Sequence, residues 1–83
     1  LYQNNPNPFS VSTTINYYLD NNASNASILI FDMQGTLLKT VTLSNTGKGS
    51  IVISGGELNA GMYMYSLVAN GKEVDTKRMI LTK

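Results

Sequence analysis

The sequence predicts an all-β domain, an immunoglobulin-like antiparallel sandwich of about seven strands. Short runs of alternating apolar and polar residues recur at roughly ten-residue spacing, as in small sandwiches. Gly, Asn, Asp and Pro punctuate them, and no segment repeats with helical period. A chain of 83 residues holds one core, so the expected organisation is a single domain over 1–83, with an extended lead-in over 1–9 and the sandwich over 10–83.

The opening Gln3-Asn4-Asn5-Pro6-Asn7-Pro8-Phe9 cannot be helical, because each proline lacks an amide donor and biases the residue before it toward extended backbone. Thr13 to Leu19 alternates, with Ile15, Tyr17 and Leu19 on one face and Asn16 and Tyr18 on the other. Asp20 to Asn25 is a polar connection. Ser27 to Asp32 is apolar on both faces through Ile28, Leu29, Ile30 and Phe31, which predicts a central strand covered on both sides. Asp32-Met33-Gln34-Gly35 reads as a tight hairpin loop returning along Thr36 to Leu43. Asn45-Thr46-Gly47-Lys48-Gly49 reads as a further turn, followed by a short strand Ser50 to Ser54 with Ile51 and Ile53 on one face, broken by Gly55-Gly56. Leu58 to Gly61 is a corner into Met62 to Ala69, where Tyr63, Tyr65 and Leu67 share a face. Asn70-Gly71 suits a two-residue type I′ turn, and Lys72 to Thr82 closes the domain. Gly61 and Tyr63 have the spacing of a tyrosine corner, in which the hydroxyl returns to the corner backbone; the plainer alternative is a large half-buried strand residue.

Composition narrows function by exclusion. The chain has no His and no Cys, so the usual general base, the thiol nucleophile and the commonest metal ligand are missing. Its acids, Asp20, Asp32, Glu57, Glu73 and Asp75, are scattered. Asp32 is the best calcium candidate, but it lacks the companion acids of a calcium loop and fits a turn better. The expectation is no enzyme, no cofactor and no metal. A net charge of +1 is too small to steer nucleic acid. Neither a signal peptide nor an apolar run of the roughly 20 residues needed to span a bilayer is present. The start at Leu1 without methionine reads as a piece from the end of a longer protein, and the redox compartment stays open.

Several separated segments, in order, resemble a known family: Gln3-Asn4 with Asn7-Pro8-Phe9, Ile15-Asn16-Tyr17, Ile28 to Gly35, Leu58 to Tyr65 and Lys77 to Lys83. The chain is similar to the type A C-terminal sorting domain of the type IX (Por) secretion system of Gram-negative bacteria, over nearly its whole length. The resemblance implies a folded, non-catalytic secretion signal that takes an N-terminal cargo from the periplasm across the outer membrane, to be attached at the cell surface or secreted. Implied partners are the outer-membrane translocon and shuttle proteins and a sortase-like cysteine peptidase. The implied recognition residues are Gly61, Tyr63, Lys77, Arg78, Met79, Ile80, Leu81, Thr82 and Lys83.

Strand chemistry is compatible with that role, since a closing strand at a sheet edge offers main-chain groups to a partner. Taken without the resemblance, Lys77, Arg78 and Lys83 read as ordinary edge charges that prevent aggregation, and the resemblance reverses that preference. The alternative functions are a carbohydrate-binding or adhesive module, with Tyr2, Tyr18, Tyr63 and Tyr65 as candidate platform residues, and a structural spacer.

Overall fold

In the computed structural model, residues 1–44 and 46–82 are described, the side chain of Glu57 excepted. Six strands run β1 (Ser12–Leu19), β2 (Ala26–Asp32), β3 (Leu37–Leu43), β4 (Gly47–Ser54), β5 (Gly61–Ala69) and β6 (Lys72–Leu81). They form two antiparallel sheets, β1-β4 and β3-β2-β5-β6. The sandwich expected from the strand spacing is present, with six strands among the described residues where about seven were expected. The seventh place is taken by the lead-in. Asn5 bridges to Thr14 of β1 and Phe9 bridges to Leu81 of β6, but Pro6 and Pro8 have no amide to donate, so the segment makes isolated bridges and no continuous ladder.

Alternation decides the faces. Thr13, Ile15, Tyr17 and Leu19 of β1 turn inward with Ile53 of β4. They meet Ile28 and Ile30 of β2, Tyr63, Tyr65 and Leu67 of β5, and Met79 and Leu81 of β6. β2 is central by hydrogen bonding, as expected, but only one of its faces is covered. Ala26, Ile28 and Ile30 are buried, whereas Leu29 and Phe31 are half-exposed. A two-layer sandwich has one interior, so the second apolar row of a central strand faces outward.

The turns follow local chemistry. The Asp32 carboxylate accepts the amides of Gln34 and Thr36, and Gly35 takes φ +87°, which gives Asp32 a turn-forming role. Asn70 and Gly71 both have positive φ, as the β5-β6 hairpin requires. The Asn70 side chain also ties this turn to the β1-β2 connection by accepting from the amide and hydroxyl of Ser24. One turn expectation needs correction. Gly47, Lys48 and Gly49 belong to β4 and not to a turn, because Gly49 lies opposite Tyr17 and a Cβ there would fall 2.4 Å from the ring. The glycine makes room for a buried aromatic side chain. Gly55–Glu57 forms a single 3-10 turn, with the Ser54 hydroxyl accepting from Gly56 N. Asn45 lies outside the described residues.

Candidate functional site

The residues expected to carry recognition lie on β5 and β6, and register sorts them into two sets. Tyr63 pairs with Met79, and Gly61 with Leu81; the rings and chains of Tyr63, Met79 and Leu81 point into the core. Arg78 and Ile80 pair with Met64 and Met62 and face outward, Arg78 exposed and Ile80 half-buried. Thr82 is exposed beyond the strand. Lys77 lies 3.9 Å from Asp75 in a partly exposed ion pair, an arrangement that contributes little stability. Lys83 lies outside the described residues. Thus Tyr63, Met79 and Leu81 build the fold, and among the described members of the set Gly61, Lys77, Arg78, Ile80 and Thr82 keep exposed surface.

The tyrosine corner is present. The Tyr63 hydroxyl donates to the carbonyl of Asn59, four residues upstream in the corner, while Gly61 enters the strand at φ +153°, where glycine is favoured. Tyr65 is wholly buried and does something the sequence reading did not identify. Its hydroxyl donates to Tyr2 O at 2.8 Å and accepts from Asn4 N at 2.7 Å. Burial holds this phenol above its ordinary pKa, against the opposing effect of the Asn4 bond, with Asp75 adding a smaller upward push.

Around Tyr65 the lead-in is locked into the molecule. Asn4, 3% exposed, donates through Nδ2 to Pro6 O and to Thr13 Oγ1, and Thr13 donates to Pro6 O. Tyr2 N donates to Asn16 O, and Asn5 and Thr14 exchange two main-chain bonds. On the other flank Phe9 is buried, its amide donating to Ile80 O and its carbonyl accepting from Thr82 N. Ile80 N donates to Asn7 Oδ1, and Gln3 Nε2 donates to Arg78 O. The lead-in therefore spans both sheets and occupies the outward main-chain edge of β6 from Arg78 to Thr82. One sequence signal pointed here: Thr13 is polar but in phase with Ile15, and a buried hydroxyl needs a partner.

We expect Tyr65→Phe to cost about 1–3 kcal/mol, because Asn4 N and Tyr2 O lose their buried partner. The variant should also flatten the alkaline limb of the stability curve. A phenol whose folded pKa is raised adds stability below its unfolded value of about 10, and that contribution is lost as pH rises through the folded value. Urea unfolding at neutral pH and above pH ~10 checks both expectations; equal alkaline slopes in the two proteins would remove Tyr65 as the cause.

The tyrosine platform fares poorly. Tyr63 and Tyr65 are interior, which leaves Tyr2 and Tyr18 exposed. Among the described residues no cluster of acids could hold a metal ion, and no helix is long and apolar enough to cross a membrane.

A family model described as "Secretion system C-terminal sorting domain" matches residues 5–82, from the lead-in through β6. No curated protein and no solved structure matched the chain.

Proposed function

This chain belongs to the family of secretion system C-terminal sorting domains, and from that premise we propose that it is a non-catalytic export signal read as a folded object. The signal directs an N-terminal cargo from the periplasm across the outer membrane through the type IX system, for attachment at the cell surface or release. Its partners are the translocon and shuttle proteins, and a sortase-like cysteine peptidase processes the cargo. Arg78, Ile80 and Thr82 make contact, while Gly61, Tyr63, Met79 and Leu81 hold the shape that presents them.

The observation that carries this reading is the extent of the match. It runs through both ends of the sandwich, and those ends are hydrogen-bonded to each other. A linear tag would require no such closure. A periplasmic reporter fused ahead of residues 1–83 should reach the surface or medium of a Gram-negative cell with a working type IX system, and should stay periplasmic without the chain. Equal retention of both fusions would refute the proposal.

A further inference from the structure

We propose that the receptor for this signal docks on the outward face of the large sheet around Arg78, offering an apolar surface with a carboxylate set in it, and does not add a strand to the closing segment Arg78 to Thr82. This rests on the export reading above. Strand addition needs free main-chain donors and acceptors along an edge. Over the segment that closes the chain these are taken: Arg78 O by Gln3, Ile80 N by Asn7, and Ile80 O and Thr82 N by Phe9. What this closing segment leaves accessible is its outward side-chain row.

That row is apolar around one cation. Arg78 lies opposite Met64, Met64 opposite Phe31 and Phe31 opposite Leu37, giving a line across all four strands of the sheet. Ile80 and Met62 form the adjoining row. Met62 and Leu37 are 43% and 49% exposed, and Phe31, Met64 and Ile80 are half-exposed. Methionines suit such a surface because their unbranched chains adapt to a partner's shape. Arg78 has no carboxylate partner among the described residues; Glu73 on the same face accepts from the hydroxyls of Ser66 and Thr76. An unpaired guanidinium amid apolar side chains is matched by a carboxylate on the partner, which would be desolvated on docking and fix the register.

The test uses the reporter fused to the whole chain, with Arg78→Glu and Met62→Asp singly and together, and with Lys48→Glu and Val52→Asp on the exposed side of β4 as controls. Protease resistance of each fusion reports whether the sandwich is intact. The expected result is a drop in exported fraction of about tenfold or more for the Arg78 and Met62 variants, the effect of losing a central contact, with protease resistance and both controls unchanged. Normal export of these variants, while the reporter still needs the chain, would overturn the docking surface and leave the export reading standing. Increased export on opening the edge with Gln3→Ala and Asn7→Ala would overturn it in favour of strand addition. A reporter that the unmodified chain fails to export overturns the export reading and the surface with it.

Discussion

A chain ending at Arg78 is expected to lose its export and its fold together. The missing segment contains Met79 and Leu81, 0% and 1% exposed, and truncating one buried Met or Leu side chain to Ala costs about 2–5 kcal/mol. A domain of this size has roughly 4–12 kcal/mol in total, at about 0.05–0.15 kcal/mol per residue. The deletion also removes the acceptor and the donor that Phe9 uses, Ile80 O and Thr82 N. We expect the reporter to accumulate in the periplasm and the truncated domain to be cleaved rapidly by protease. A cooperative urea transition at the original midpoint would show that the last strand is dispensable to the core. Export lost through this deletion is thus no measure of recognition; the outward substitutions at Arg78 and Met62 separate the two effects.

Phe9→Ala carries the second large expectation. Phe9 is 2% exposed, within a core that includes Tyr65, Met79 and Leu81, so its removal should cost about 3–5 kcal/mol, the range for a buried phenylalanine. The loss should extend beyond the cavity. With its anchor gone the lead-in is held less firmly, and the amides of Ile80 and Thr82 should exchange faster than those in the β2-β5 ladder. Urea unfolding and residue-resolved hydrogen exchange measure the two parts. A shift in midpoint without faster exchange at Ile80 and Thr82 would mean that the lead-in is secured by Asn4 and Tyr65 alone. Gln3→Ala serves as a contrast, since an exposed residue with few partners should change stability by less than about 1 kcal/mol.

Much of the architecture was legible because strand physics is local. The phase of Ile15, Tyr17 and Leu19 placed those residues inside, as did that of Tyr63, Tyr65 and Leu67, and burial agrees at each position. Asp32 with Gly35 and Asn70 with Gly71 marked turns that the backbone adopts. Less was legible where the deciding neighbour is remote in sequence. Gly47 to Gly49 has the composition of a turn, yet it is strand because it pairs with Tyr17 to Leu19 of β1, and its Gly49 leaves room for the Tyr17 ring. Leu29 and Phe31 read as interior by hydropathy, yet among the described residues no third layer covers them. Within the recognition set, one list of residues from the closing segment divides into fold-building and outward-facing members only once the register with β5 is known.

Periodicity and turn chemistry alone indicated that the chain is all-β and placed the buried faces of β1 and β5, since a pleated strand alternates its faces whatever it packs against. Tertiary structure alone decided that the two ends of the chain close on each other. The bonds of Asn4 to Tyr65, Asn7 to Ile80 and Gln3 to Arg78 join residues 61 to 75 positions apart. Nothing in a local pattern encodes such a pairing; it arises when two sheets meet and buried polar groups must find partners across the gap.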